Sequence, residues 1–238
     1  MIPVTDALRA RRFPFVNLAI IVACVLVFIY ELTLSDLRIE ELFYDYGVVP
    51  NDMTNWVESP SGLGEPATVL SAAFLHGGWL HLAGNMIFLW VFGDNVEDVL
   101  GHVVYALFYA ASALGAVALQ VATDTGETVP MIGASGAIAG VLGAYLLLFP
   151  VARVGVFVPV LFFFGAIPVQ AWALILLWFV MQIFAGYASL ADPDVTQTVA
   201  VWAHVGGFIT GFGLMLVARP FVKVRSLPRQ PRRRGGIW

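Results

Sequence analysis

Six mostly apolar stretches, at 14–34, 79–92, 103–122, 135–150, 169–190 and 199–218, constrain this chain more than any other feature of its sequence. A helix needs about 20 mostly apolar residues to cross a hydrocarbon core of about 30 Å, and each stretch meets or approaches that length. Composition points the same way. Charged residues make up 12% of the chain and apolar ones 60%, with a mean hydropathy of +0.86. A soluble domain needs about a quarter of its residues charged to solvate its surface, so the bilayer must act as solvent here. The one cysteine, Cys24, has no partner for a disulfide and excludes a Cys-based metal site.

The apolar run 154–167 has only 14 residues and is punctuated by Pro150, Pro159 and Pro168. Proline removes helix hydrogen bonds, so this run is expected to be an interfacial or re-entrant connection, not a seventh span. Charge placement supports an even count. Of the 12 Lys and Arg residues, Arg9, Arg11 and Arg12 precede the first stretch and seven lie from Arg219 onward. Basic residues mark the cytoplasmic side, so both termini are expected there. The first external loop, 31–75, is acidic and holds only Arg38 as a basic residue. The apolar stretch after Arg12 is too long for a signal-peptide core and reads as a retained span. The expected fold is therefore all-α: a polytopic six-transmembrane-helix bundle with a large first external loop. Its parts are a cytoplasmic segment 1–13, a membrane domain 14–218 and a basic, disordered cytoplasmic tail 219–238.

With the N-terminus inside, every even-numbered span starts at the external face. His76 and His81 then lie at the start of span two, Asn85 one turn further in, Ser135 at the start of span four and His204 a turn into span six. All share one depth. His81 and Asn85, spaced i, i+4, share a helical face. Ser135 is flanked by Gly133 and Gly136, which permit a tight turn and close backbone approach, near a helix N-terminus whose free N–H groups favour negative charge. Gly207 and Gly211 give span six a small-xxx-small face for close helix contact. Taken singly, such a serine is usually back-bonded and such glycines usually serve packing. Ionisable groups inside a membrane are costly, however, and three of the four histidines fall in this layer.

Together HGGWLHLAGN (76–85), GASG (133–136) and AHVGGFITG (203–211) resemble the rhomboid intramembrane serine proteases in order, spacing and span placement. The resemblance implies cleavage of other proteins' transmembrane segments, generally near small residues. It makes Ser135 the nucleophile and His204 its general base. The oxyanion would be held by the Ser135 N–H with His81 and Asn85, and His76 would brace the external loop. No acidic residue lies deep in spans two, four or six, so a Ser-His dyad is implied. Two positions depart from the family pattern. GEPATVL (64–70) stands where many members carry a Trp-Arg pair, and Ala139 stands where some place an aromatic residue against the histidine. Span five, with Trp172, Trp178, Phe179 and Phe184, and the loop ASLADPDVTQT (188–198) are the implied gate and cap.

Two rivals differ in kind. His76, His81 and His204 could hold zinc with an open fourth position, although Asn85, the i+4 partner of His81, suits an oxyanion better than a metal. A silent membrane-protein binder would lack Ser135 or His204. No metal, cofactor or nucleic acid is expected. The expected partners are transmembrane substrates and the lipid bilayer, and the expected location is a prokaryotic plasma membrane.

Overall fold

The structure, a computed structural model, describes residues 2–8, 10–55, 65–160, 163–191 and 200–224. Most of the expected basic tail (225–238) and most of the expected cap loop (192–199) lie outside the described residues.

The chain is mostly helical. Helix α1 (Phe15–Glu31) follows Pro14, and three shorter helices, α2 (Asp36–Tyr46), α3 (Pro50–Asn55) and α4 (Glu65–Ala72), build the first loop. Next, α5 (Trp79–Phe88) passes through a π-helical turn (Leu89–Gly93) into α6 (Asp94–Leu100) without a break. Gly101 at φ +78° ends that rod, a conformation that favours glycine, and α7 (His102–Thr123) starts from it. Then come α8 (Ser135–Leu148), α9 (Ala171–Ala191) and α10 (Val201–Ala218). Among the described residues three helices are long and apolar enough to cross a membrane: His102–Thr123, Ala171–Ala188 and Val201–Ala218. Phe15–Glu31 and Ser135–Leu148 are shorter apolar helices. Their outward faces expose Leu26, Leu107, Phe184 and Val217, as an apolar solvent permits.

Helix α8 is the central rod, buried on every side from Gly136 to Tyr145. A helix enclosed all round must be apolar all round, and GAIAGVLGAY is. It packs on α10 and α7, which also pack on each other, with glycines at the crossings. A Cβ on Gly211 would strike the Gly140 backbone, and one on Gly143 would lie 2.6 Å from the Phe208 carbonyl oxygen.

A buried polar cluster fixes the opposite end of the bundle. The Glu97 carboxylate accepts the N–H groups of Val16 (3.0 Å) and Asn17 (2.7 Å), capping the first turn of α1. Asn17 Nδ2 donates to the Leu89 carbonyl at 2.9 Å, where the π-helical turn alters the hydrogen-bond ladder, and Tyr105 donates its hydroxyl to Asn17 Oδ1 at 2.8 Å.

The all-α expectation is corrected by a three-stranded antiparallel sheet of order β1-β2-β3. The run expected to be an interfacial or re-entrant connection is a hairpin, β2 (Arg153–Val160) with β3 (Phe163–Gln170), and the N-terminal strand β1 (Ile2–Asp6) pairs with β2. The physical reason is composition. Val and Phe favour a pleated surface, and the prolines deny the run a helix. Pro168 lies on the edge strand β3, and Pro159 lies beyond the last β2 residue paired to β1, so neither N–H is missed on a doubly paired edge.

Asp6 ties the sheet to the bundle by accepting from Asn95 Nδ2 (2.9 Å) and the Tyr145 hydroxyl (2.7 Å). Burial raises Asp6 to about 6. A folded-state value above the unfolded 3.8 means that the native state binds more protons between about pH 4 and pH 6. The Asp6 contribution to stability is therefore complete below that window and is lost as pH rises through it. Asp6→Asn keeps an acceptor for Asn95 and Tyr145 and should flatten the fall. Unfolding midpoints at about pH 5 and pH 8 test it, and an unchanged pH slope would refute the assignment.

Candidate active site

The first loop and the loop before α8 are joined by backbone pairing. The Val48 and Met131 N–H groups donate to each other's carbonyls at 3.0 and 2.7 Å, and the Gly133 N–H donates to the Ala72 carbonyl at 2.8 Å. The loop without a Trp-Arg pair is thus anchored by main chain. It also fixes the segment that leads into Ser135.

Ser135 is the first residue of α8, His204 the fourth of α10, and His81 the third of α5. The α8 N-cap, Ala134, offers no side-chain hydrogen bond, so the N–H groups of the first turn have no side-chain acceptor there. Ser135 Oγ lies 2.8 Å from His204 Nε2, within hydrogen-bond reach across 69 residues of sequence. The other ring nitrogen, Nδ1, is 2.7 Å from Gln182 Oε1 on α9. A carboxamide oxygen can only accept, so Nδ1 carries the proton and Nε2 presents its lone pair to the Ser135 hydroxyl.

Gly133, at φ +113°, is where His81 and Asn85 meet this loop. A Cβ on Gly133 would sit 2.6 Å from His81 Nε2 and 3.6 Å from Asn85 Nδ2. Glycine therefore keeps open the space both donors face, two residues before Ser135. Asn85 is buried, and its Nδ2 has no acceptor among the described residues. An unused buried donor costs about 1–3 kcal/mol, and this one is free to donate to an acceptor that enters the space. Beside the same loop is a cavity of about 40 Å³ lined by Gly133, Ser135, Gly136, Ala200 and Ala203, large enough for water.

His76 is buried behind His81, their rings edge to face at 5.2 Å. Its Nδ1 lies 3.1 Å from the Phe74 carbonyl oxygen and its backbone N–H donates to Glu31 Oε1 at 3.1 Å, so it ties the first loop to α1. Burial, then the neighbouring His81, lowers its imidazole to about 4. His102, on the far side of the bundle, contacts Glu97.

Gly136 and Gly207 allow the dyad to form. A Cβ on Gly136 would lie 2.6 Å from that of Ala116, and one on Gly207 would overlap the Gly136 carbonyl. Gln120 on α7 also accepts the Ala203 N–H at 3.1 Å, holding the first turn of α10.

Sequence reasoning missed Gln182 and gave Trp178 a different part. Trp178 packs its ring against His204, tilted, with centroids 5.8 Å apart, an aromatic contact that Ala139 does not supply. A signal for Gln182 was present. It is the single carboxamide in an otherwise apolar or aromatic run from Trp172 to Gly186, and polar groups in such segments usually have a partner.

Comparison with known proteins follows the same residues. The family model described as Rhomboid domain matches 63–221, which contains His76, His81, Asn85, Gly133, Ser135, Gln182 and His204. "RHOMBOID-like protein 5" of Arabidopsis thaliana is 33% identical over 181 residues, 69% of this chain and 50% of that protein. "Rhomboid protein 1, mitochondrial" of Saccharomyces cerevisiae is 34% identical over 95 residues, 38% of this chain and 28% of that protein. "Presenilin-associated rhomboid-like protein, mitochondrial" of Mus musculus is 33% identical over 98 residues, 40% of this chain and 26% of that protein. The chain thus spans half or less of the length of these relatives.

Proposed function

The chain belongs to the rhomboid family of polytopic membrane proteins, and from that premise we propose that it is an intramembrane serine endopeptidase working through a Ser135–His204 dyad. The observation that carries this reading is the 2.8 Å contact between Ser135 Oγ and an acceptor Nε2 of His204, set beside the unused donor of Asn85.

In the proposed mechanism, Ser135 Oγ attacks a scissile carbonyl carbon as His204 Nε2 takes its proton. The negative oxygen of the tetrahedral intermediate is held by the Ser135 N–H, His81 and Asn85 Nδ2. Collapse breaks the C–N bond, and His204 returns its proton to the leaving amine. Water then attacks the acyl-enzyme ester with His204 again as base, releasing the acid and free Ser135. Both His204 ring nitrogens are engaged with protein groups, which favours this chemistry over a zinc site built from His76, His81 and His204.

The substrates in this reading are transmembrane segments of other proteins, cut near small residues and entering sideways from lipid past α9. We count six crossings, by α1, the α5–α6 rod, α7, α8, α9 and α10, with both termini cytoplasmic. The membrane we assign is a prokaryotic plasma membrane, on the short loops between the later spans. The relatives named above, from a plant, a yeast and a mouse, do not add support for that location.

The test is cleavage of a model transmembrane substrate by the full chain in vesicles, with and without a metal chelator. Cleavage that survives the chelator, together with a fluorophosphonate adduct on Ser135, is the expected result. Loss of activity to the chelator, its return with zinc, and a harmless Ser135→Ala would overturn the proposal.

A further inference from the structure

We propose that Gln182 is the positioning residue of the dyad and that, through it, α9 becomes part of the catalytic unit; this rests on the protease reading above. An imidazole can serve as base toward Ser135 only if Nε2 is free of its proton. The Gln182 oxygen at 2.7 Å from Nδ1 enforces that tautomer. Without it, the ring's one remaining strong hydrogen bond would be the reverse one, Nε2–H donated to Ser135 Oγ, and the base would be blocked. No described hydrogen bond brings a carboxylate to His204, so a neutral amide does this work. A neutral acceptor suits an apolar layer, where a buried charge would carry a heavy desolvation cost.

The second part concerns where Gln182 is mounted. Trp178, Phe179 and Gln182 are spaced i, i+1 and i+4, on one side of α9. All three meet α10: Trp178 and Gln182 at His204, and Phe179 stacked on Phe208 with centroids 4.2 Å apart. His204 and Phe208 are themselves i, i+4. Apart from these residues, the buried Ala171 and Ile175, and the edge contact of Tyr187 with Trp202 on α10, α9 is lightly covered. Only 17% of its membrane-crossing window is buried, against 44% for α10 and 39% for α7. A shift of α9 by about 1 Å would carry a 2.7 Å bond beyond hydrogen-bond length while leaving α8 and α10 in place. The dyad is therefore competent when α9 lies against α10, and it loses its oriented base when α9 moves out.

Three variants in the full chain test this: Gln182→Leu, Gln182→Glu and Phe179→Ala. The readouts are kcat and KM for a transmembrane substrate, and the rate at which a fluorophosphonate is attacked by Ser135 Oγ with loss of fluoride. Gln182→Leu should lower kcat and labelling roughly 100-fold with KM nearly unchanged, a smaller loss than the about 10⁴-fold known for a wrong-tautomer base. Gln182→Glu, which keeps an acceptor oxygen, should restore most of the loss. Phe179→Ala should slow labelling, and adding it to Gln182→Leu should cost nothing more, since both act through one bond. Should the leucine variant not fold, Gln182→Met, nearly isosteric, takes its place. Wild-type labelling by a folded Gln182→Leu protein, with Ser135→Ala unlabelled, overturns the proposal and leaves the protease reading standing. Additive losses from Phe179→Ala and Gln182→Leu overturn the coupling to α9. Cleavage by Ser135→Ala at the wild-type rate overturns the protease reading itself.

Discussion

Ser135→Ala and His204→Ala should each lower cleavage of a transmembrane substrate by roughly 10⁴-fold or more, and the double variant should lose no more than the worse of the two. The reason is the geometry of a single proton transfer. Ser135 Oγ becomes a nucleophile only as His204 Nε2, 2.8 Å away, takes its proton, so either residue without the other is nearly idle. A loss of 10⁴ corresponds to about 5.5 kcal/mol of transition-state stabilisation, of which the pair is one indivisible part. Independent contributions would instead add, giving a double variant with roughly 10⁸-fold loss, below any measurable rate. What remains in either variant is the binding and oxyanion contribution from His81, Asn85 and the Ser135 N–H. Unfolding midpoints should stay close to wild type for Ser135→Ala, because only one hydroxyl is removed. Kinetics on matched, folded samples decide the matter: near-wild-type turnover by either single variant would remove the dyad.

Much of this candidate site is legible in the sequence, because membrane chemistry leaves few polar groups to choose among. Ser135, His81, Asn85 and His204 stood out as polar groups at the same end of apolar stretches, and their depth followed from where Lys and Arg lie. The structure places Ser135 against His204, and His81 and Asn85 against Gly133. The sheet was not readable. Residues 154–167 are apolar enough to resemble a membrane segment, and the strand that recruits them, Ile2–Asp6, lies about 150 residues away with no local mark of its partner. Asp6, which ties that strand to Asn95 and Tyr145, looks like an ordinary tail residue in the sequence. Gln182 was missed for a different reason. Span five was read by its aromatics as a gate, and hydropathy gives no weight to which face a lone carboxamide occupies. Only the packing of Trp178, Phe179 and Gln182 against α10 shows that this face meets His204 and Phe208.

Gly207→Leu is expected to disrupt the fold, and Gly207→Ala to leave a folded but crippled protein. Lipid gives helices no hydrophobic reason to associate, so α8 and α10 depend on close backbone contact made possible by small residues. At Gly207 that contact is closer than any side chain allows, since a Cβ there would overlap the carbonyl oxygen of Gly136. That obstacle is backbone. A flexible side chain could swing aside, but here one helix must move off the other. Overpacking of this kind costs about 1–3 kcal/mol for one methyl group and more for a branched side chain. The displacement falls at the chemistry, because Gly136 adjoins Ser135 and Gly207 is three residues from His204. Opening the crossing by about 1 Å would stretch the Ser135–His204 contact and can cost roughly 100-fold in rate even where the fold survives. Gly213, on the same helix, supplies the control, for a Cβ there would meet nothing within 4 Å. Gly213→Ala should hold or raise the unfolding midpoint through helix propensity, by up to about 1 kcal/mol, with labelling of Ser135 unchanged. Equal midpoints and equal labelling rates for Gly207→Ala, Gly213→Ala and wild type would mean that α8 and α10 do not set the dyad distance.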